Sequence, residues 1–148
     1  MRIVLTTVTS ASVTIDNKVV GSINRGFCVL VGFTHDDTKE IVDKMIDKML
    51  GLRVFMDENG LTNLSIYDVC GEILSVSQFT LYADSKHGNR PSFTNAMKYD
   101  LANDLYEKYC DIISQAGIEV KKGVFGADMK IELVNDGPVT IILDSKEL

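Results

Sequence analysis

The chain has 148 residues, of which 45% are hydrophobic and 24% are charged, a balance typical of one globular domain spanning residues 1–148. Its net charge of −6 argues against a broad nucleic-acid surface, because such a surface needs a basic footprint. A protein that grips only one end of an RNA needs few cations, so that class is not excluded. No apolar run is long enough to span a membrane, and Met1–Leu5 does not begin a signal peptide, so we expect a cytoplasmic protein.

The cysteines and histidines give no sign of a metal or a cofactor. Cys28, Cys70 and Cys110 are widely spaced in apolar contexts, which indicates small buried side chains in a reducing compartment rather than disulfides or a zinc site. His35 and His87 are the only histidines, and neither has a partner at metal-ligand spacing. We therefore expect no metal and no cofactor.

In chain order, the first part of the sequence predicts strands followed by a helix. Arg2–Thr9 predicts a strand, and Ala11–Ile23 predicts a hairpin that turns at Asp16 and Asn17. The continuous apolar run 27–33 predicts a strand buried on both faces. The helix after it begins at an N-cap, Thr38, and its apolar stripe is expected to be core: Ile41, Val42, Met45, Ile46, Met49, Leu50 and Leu52.

The second part predicts short strands around a second helix. A short strand over Arg53–Met56 ends in a turn, residues 61–69 are irregular, and the next strand ends near Tyr82. The helix that follows stops at Gly117 and is predicted to bury Leu101, Leu105, Tyr109, Ile112 and Ile113. Strands over 120–125, 129–134 and 139–143 complete the chain, the last two joined as a hairpin by the turn 135–138. This order predicts a mixed α/β fold with a largely antiparallel sheet component.

One strand ends in a run of polar side chains. Period-2 geometry places Gln78 and Thr80 on one face, with Ser77 and Phe79 on the other. Gln78 and Thr80 can therefore share a pocket, whereas Ser77 does not join them if the strand stays regular. A strand that turns polar as it reaches solvent is an equally good interpretation of the segment alone.

Residues 83–98 form the one locally basic loop of an acidic protein. The loop contains a single acid, Asp84, and four basic side chains: Lys86, His87, Arg90 and Lys98. This composition is typical of a solvated loop, and it also suits a phosphate contact beside a site. The residues alone leave both interpretations open.

Two motifs together resemble the signature sequences of the D-aminoacyl-tRNA deacylase family. They are Ser77–Leu81 (Ser-Gln-Phe-Thr-Leu) and 135–140 (Asn-Asp-Gly-Pro-Val-Thr), about 55 residues apart. The stretches 8–14, 89–93 and 125–129 agree in order and spacing. One position departs from the family: Thr7 stands where an arginine, thought to steady the Gly-Pro loop, is common.

The resemblance implies a single-domain fold with mixed, barrel-like sheets and two main helices. It also implies hydrolysis of the ester between a D-amino acid and the terminal adenosine of tRNA, and of glycine on non-cognate tRNA. Catalysis would use Thr80 and the backbone N–H groups of Phe79 and Thr80, with Ser77 and Gln78 binding substrate. Members of the family form homodimers. By resemblance, Gly137 and Pro138, joined by a cis peptide bond, would reach into the pocket of the partner subunit and exclude L-amino acids.

The resemblance also bears on partners and on competing functions. It raises the expectation that Lys86 and Arg90 contact tRNA, with no role for DNA or a membrane. A non-catalytic tRNA-binding or protein-interaction dimer of the same fold is the alternative. A cysteine hydrolase using Cys28 or Cys70 is a weaker third hypothesis, because neither thiol has an electropositive context.

Overall fold

The computed structural model describes residues 1–148 as eight strands and two α-helices. The strands are β1 (Arg2–Ile15), β2 (Lys18–Ile23), β3 (Gly26–Gly32), β4 (Phe55–Met56), β5 (Thr62–Leu64), β6 (Glu72–Ser77), β7 (Val120–Lys122) and β8 (Lys130–Asp144). The helices are α1 (Lys39–Leu50) and α2 (Tyr99–Gln115). None of the helices combines the length and the apolar character that crossing a bilayer requires.

The main sheet is mixed and mostly antiparallel, as predicted. Its strand order is β2-β1-β3-β6-β7, with β8 paired along β1. β1 is antiparallel to β2, β3 and β8, whereas β3–β6 and β6–β7 are parallel pairs. The outer strands approach each other closely, because a Cβ on Gly21 of β2 would lie 3.4 Å from the Lys122 carbonyl oxygen of β7. The sheet is therefore nearly closed and barrel-like, which confirms the expected fold class.

The two faces of this curved sheet bury different cores. Both helices pack on one face, where Ile3, Leu5 and Phe27 join the main core. The opposite, inner face holds a smaller cluster: Val8, Ala11, Val13, Ile23, Cys28 and Leu74. β3 is buried on both faces because it contributes to both cores, as its uninterrupted apolar run predicts.

Helix α1 has the predicted cap and the predicted buried stripe. The Thr38 hydroxyl accepts a hydrogen bond from the backbone N–H of Ile41, and Val42, Met45, Ile46, Met49 and Leu50 are buried. Helix α2 ends before Gly117 as predicted, and of its predicted buried residues Tyr109 and Ile113 are buried and Leu105 and Ile112 partly so, but Leu101 is 57% exposed. The helix instead buries Tyr106, whose hydroxyl donates to the Ser75 carbonyl oxygen at 2.9 Å, so the ring is buried without an unpaired polar group.

The predicted hairpin at 135–138 is wrong. The stretches 129–134 and 139–143 belong to one strand, β8, because both halves pair with the same partner, from Thr14↔Lys130 to Arg2↔Asp144. The residues around Gly137 are extra residues that bulge out of this ladder, where its register shifts between Thr6 and Val8.

Other local predictions are corrected in smaller ways. β1 runs without a break through Ser10, and the turn after it is confirmed by positive φ angles of 49° at Asp16 and 62° at Asn17. β5 lies within a stretch predicted to be irregular. Cys28 and Cys110 are buried as expected, but Cys70 is exposed, because it sits in a turn with φ of 51°.

Candidate active site

The polar segment after β6 is a turn and not the end of a strand. β6 ends at Ser77, and Phe79–Tyr82 forms a single 3₁₀ helix, called the site turn below. The last strand-like bond runs from the Gln78 N–H to the Val31 carbonyl oxygen at 2.7 Å. The Leu81 N–H then donates to the Gln78 carbonyl oxygen at 3.2 Å and closes the turn. The predicted alternation of faces therefore stops at Ser77.

A glycine in β3 allows the site turn to lie against the sheet. A Cβ on Gly32 would come within 2.8 Å of the Gln78 carbonyl oxygen and 3.1 Å of the Leu81 Cβ. Any side chain at Gly32 would therefore push the turn outward.

The geometry of the turn leaves two backbone donors without helical partners. Phe79 and Thr80 occupy its first positions, where no preceding helical carbonyl can accept from their N–H groups. Both residues are exposed, and Phe79 is 54% accessible. Two adjacent N–H donors without helical partners therefore lie on an exposed turn.

Gln78 and Thr80 contact each other, but through the turn and not through a shared strand face. The Gln78 side-chain amide donates a hydrogen bond to the Thr80 hydroxyl oxygen. Since that oxygen is already an acceptor, the Thr80 O–H proton is free to point at another group.

A cavity of about 620 Å³ lies beside the turn. Ser77, Gln78 and Phe79 line it, so Ser77 shares the site after all, whereas Thr80 lies outside this lining. Two aromatic pairs form its walls: Phe79 meets Phe93 edge to face at 5.0 Å, and Tyr99 meets Phe125 likewise at 4.9 Å. The cavity thus offers apolar ring faces next to the polar turn.

Tyr99 was missed by the sequence reasoning. It is the first residue of α2, it is 59% exposed, and its hydroxyl donates to the Phe125 carbonyl oxygen at 3.2 Å. Its position at the start of a helix carries no sequence signal for a binding site. The signal that could have found it is its exposure as a large aromatic residue, which only the fold reveals.

The basic loop is anchored next to this cavity. Asp84 and Ser92 exchange two backbone hydrogen bonds of 2.8 Å, which close the base of the loop. Lys86 and Arg90 lie within it and are exposed, and Phe93 directly after it packs on Phe79. The loop is solvated, and it also stands beside the candidate site.

The Gly-Pro motif lies in the exposed bulge of β8. The Gly137–Pro138 peptide bond is cis. The bulge is latched to β1 by Thr7, whose hydroxyl donates to the Asp136 carbonyl oxygen at 2.6 Å. Within the bulge, the Val139 N–H donates to the Asn135 side-chain oxygen at 3.2 Å. Thr7 itself is buried, with 3% exposure, so its hydroxyl occupies a defined position.

The structure does not bring the two motifs together within one chain. The bulge faces Thr7, which is in register with Phe27 of β3 and through it with Ile73 of β6. Ser77 lies four positions further along β6, roughly 13 Å along the strand, and β8 is three strand spacings away, roughly 14 Å across the sheet. Gly137 and Pro138 are therefore remote from the turn of their own chain.

The remaining reactive groups lack the arrangement of a nucleophilic site. Burial raises the pKa of the Cys28 thiol to about 11. The exposed Cys70 borders a separate pocket with Arg25 and Glu72. His35 is bonded through Nε2 to the Thr94 carbonyl oxygen at 2.6 Å. No group of three or more His, Cys, Asp or Glu side chains is arranged to hold a metal ion.

Comparison with known proteins agrees with this picture. A sequence model of the D-Tyr-tRNA(Tyr) deacylase family matches residues 4–144. The D-aminoacyl-tRNA deacylase of Clostridioides difficile is 52% identical over 147 residues, with 99% of each chain covered. That of Exiguobacterium sibiricum is 57% identical over 144 residues, covering 97% of this chain and 99% of the relative.

Solved structures share the fold. That of a c-Myc DNA Unwinding Element Binding Protein is 40% identical, with a TM-score of 0.91 over 97% of this chain and 98% of the other. A probable eukaryotic D-amino acid tRNA deacylase, only 20% identical, matches in fold with a TM-score of 0.84 over 96% and 97%. The fold, the turn and these relatives define the class: the chain is an enzyme, a hydrolase. It belongs to the D-Tyr-tRNA(Tyr) deacylase family.

Proposed function

We propose that the chain hydrolyses the ester between a D-amino acid and the terminal adenosine of tRNA, and likewise glycine on non-cognate tRNA. The observation that carries the proposal is the site turn, which presents the Phe79 and Thr80 N–H groups beside an aromatic cavity. Membership of the deacylase family supports the same reaction. The free state of all three cysteines is compatible with action in the cytoplasm.

The cavity suits the terminal adenosine. A base stacked on an aromatic side chain gains about 1–3 kcal/mol. Phe79, Phe93 and Tyr99, which border the cavity, are partly exposed and available for such stacking. Ser77 and Gln78, in the same lining, supply polar contacts for the ribose or the ester. The base would therefore anchor the substrate while its ester lies over the site turn.

The chemistry follows from the donors. Water attacks the carbonyl carbon of the ester, and the carbonyl oxygen becomes negative. The N–H groups of Phe79 and Thr80 stabilise that charge. Loss of one such donor typically costs ~2.7–4 kcal/mol. The carbon–oxygen bond to the adenosine 3′ oxygen then breaks, and the proton released by the attacking water passes to that oxygen. Because Gln78 donates to the Thr80 hydroxyl and cannot act as a base toward it, Thr80 orients water or substrate and is not the nucleophile. The adjacent adenosine 2′-OH would relay the proton from water to the 3′ oxygen.

The Gly-Pro bulge would complete the site of a second copy. β8 exposes apolar side chains along its length, with Leu133, Val134 and Ile142 41%, 56% and 64% accessible, which suits a homodimer interface. In the dimer the carbonyl oxygens of Gly137 and Pro138 would accept hydrogen bonds from the α-amino group of the substrate. With the amine and the ester both fixed, an L side chain would meet the bulge backbone, whereas a D side chain points away and glycine passes.

Lys86 and Arg90 would contact the phosphates of the tRNA end. Their loop is fixed next to the cavity through the contact of Phe93 with Phe79. The few cations suit a protein that holds one end of an RNA rather than a duplex.

A binding protein without turnover is the second candidate. One of the similar solved structures is that of a protein named for binding a DNA element. The net charge of −6 weighs against a broad DNA surface here. The two candidates differ in whether the site turn matters for catalysis.

Side-by-side hydrolysis of D-Tyr-, L-Tyr- and glycyl-tRNA separates them. The deacylase releases D-Tyr and glycine and spares L-Tyr-tRNA. Thr80→Ala is expected to slow D-Tyr release roughly tenfold through the lost hydrogen bond, while Thr80→Ser stays near wild type. Equal turnover of D and L esters would remove chiral selection, and tRNA binding with no turnover would favour the binding protein.

The backbone donors can be tested by proline. Phe79 is the first residue of the site turn, where proline fits helical φ and removes only the N–H. Phe79→Pro should lower kcat by roughly 10²–10³ relative to Phe79→Leu, which removes the ring but keeps the N–H. Equal rates for the two variants would exclude this N–H as an oxyanion donor.

A further inference from the structure

The far end of the site turn is held by an arginine from the start of β1. Arg2 donates from Nη1 to the Leu81 carbonyl oxygen at 2.7 Å. A carbonyl at the end of a short helix has no helical donor, so this bond satisfies a group that the turn leaves unpaired. Arg2 also pairs in the β1–β3 ladder with Gly32, the residue against which the turn packs.

The guanidinium of Arg2 is itself held on two further sides. Asp144 at the end of β8 accepts from Arg2 Nε at 3.0 Å and from Nη2 at 2.7 Å through one carboxylate oxygen. The Arg2 guanidinium carbon lies 5.0 Å from the centre of the Tyr82 ring, a cation–π distance. The group therefore bridges the turn and β8 in one orientation.

Asp144 is charged at neutral pH and well oriented. Its second carboxylate oxygen accepts from the Lys146 N–H at 3.0 Å. Burial acts to raise the pKa of Asp144, but the Lys146 N–H and the Arg2 guanidinium outweigh burial and leave the pKa below its ordinary value. Asp144 thus remains a fixed anchor for Arg2.

We propose that Arg2, oriented by Asp144, is a positioning residue that fixes the site turn so that the N–H groups of Phe79 and Thr80 converge on the reacting ester. The proposal rests on the proposed function of that turn. The N-terminal end of the turn is fixed by the Gln78 N–H bond to β3, and Arg2 fixes the opposite end. Misplacement of a catalytic group by about 1 Å can cost roughly 10²-fold in rate.

Lysine cannot replace arginine in this role. Its single ammonium is a point charge, whereas the guanidinium reaches Asp144 with two nitrogens and Leu81 with the third. Arg2→Lys should therefore resemble Arg2→Met, which keeps only the apolar stem.

The test compares kcat and KM for D-Tyr-tRNA in Arg2→Met, Arg2→Lys and Asp144→Asn. Lys39→Met is the control, because it removes an exposed ion pair with Asp43 on α1, away from the turn. Both Arg2 variants should lower kcat about ten- to hundredfold with KM within roughly twofold, while the control stays at wild type. The Arg2→Met Asp144→Asn double variant should be no slower than Arg2→Met, because the two residues act as one unit.

A second measurement follows the turn without activity. In ¹H–¹⁵N spectra, the Phe79 and Thr80 amide signals should shift or broaden in Arg2→Met, and stay unchanged in Lys39→Met. Unchanged amide signals, or a wild-type kcat in folded Arg2→Met, would overturn the role of Arg2. A wild-type protein that does not hydrolyse D-Tyr-tRNA would instead overturn the proposed function, and the amide signals would still decide whether Arg2 positions the turn.

Discussion

Thr7 offers the most informative single substitution, because its side chain alone latches the Gly-Pro bulge to β1. Its hydroxyl donates to the Asp136 carbonyl oxygen at 2.6 Å from a side chain that is 3% exposed. Thr7→Val keeps the shape and removes the hydrogen bond. The bulge itself is exposed, so water can hydrate the freed carbonyl, and the net loss is about 1 kcal/mol, or roughly a fivefold larger unlatched fraction.

An unlatched bulge no longer forms a fixed wall against L side chains. We expect Thr7→Val to reduce the ratio of kcat/KM for D-Tyr-tRNA over L-Tyr-tRNA roughly fivefold. Thr7→Ser is the matched control: it keeps the hydroxyl and loses a buried methyl, costing about 0.8 kcal/mol of stability without changing the ratio. A wild-type ratio in Thr7→Val, or an equally reduced ratio in Thr7→Ser, would refute the latch.

Three further outcomes are expected. Gly32→Ala should slow D-Tyr-tRNA hydrolysis at least tenfold in steady-state assays, because its Cβ would meet the Gln78 carbonyl oxygen at 2.8 Å; full activity would mean that the turn tolerates displacement. Lys86→Glu with Arg90→Glu should weaken tRNA binding and reduce the slope of log K against log salt by roughly 1.5, and an unchanged slope would assign the loop to solvent alone. A variant without cysteines should keep its activity, since burial raises the pKa of Cys28 to about 11, and an inactive but folded variant would revive the thiol mechanism.

The elements with strong periodic patterns could be predicted from sequence. Helix α1 and strand β3 form as expected, because the apolar residues that give each its sequence pattern are the ones that pack into the core. Apolar spacing predicts only part of the buried face of α2: Tyr109 and Ile113 are buried as expected, whereas Tyr106 has no place in the predicted stripe. Tyr106 is buried through a hydroxyl bond to a distant carbonyl, and such a long-range partner has no local signal.

The prediction of a hairpin within β8 is wrong for a different reason. Asn-Asp-Gly-Pro is a strong turn signal, yet it forms a bulge, because the residues on both sides pair with one long neighbour. Both halves of β8 can pair with β1 because β1 is 14 residues long. The sequence predicts instead a break in β1 before Ala11, which would leave no such long partner. Non-local pairing overrides turn chemistry in this case.

The candidate site was predictable in composition but not in geometry. The sequence predicts that Gln78 and Thr80 share a pocket, whereas the structure joins them by a hydrogen bond and only Gln78 lines the cavity, because the strand ends before either residue. The free N–H groups exist because the chain changes from strand to 3₁₀ helix at Gln78, a change permitted by the distant Gly32. The aromatic wall of Tyr99 and Phe125 comes from residues far along the chain and has no signal near the motif.

Completion of each site by the other copy can be tested in a mixed dimer of two damaged chains. One chain carries Phe79→Pro, which disables its turn. The other carries Gly137→Ala, which disables its bulge, because φ is +128° there and a Cβ would lie 3.1 Å from the Val139 nitrogen. The Gly137→Ala homodimer should hydrolyse L-Tyr-tRNA, and the Phe79→Pro homodimer should be nearly inactive.

Hydrolysis of L-Tyr-tRNA by the purified mixed dimer then gives the decision. If the bulge serves its partner, the one working turn meets an intact bulge, and the mixed dimer hydrolyses D-Tyr-tRNA at about half the wild-type rate while sparing L-Tyr-tRNA. Hydrolysis of L-Tyr-tRNA at half the rate of the Gly137→Ala homodimer would contradict this, because it would mean that each turn works with the bulge of its own chain.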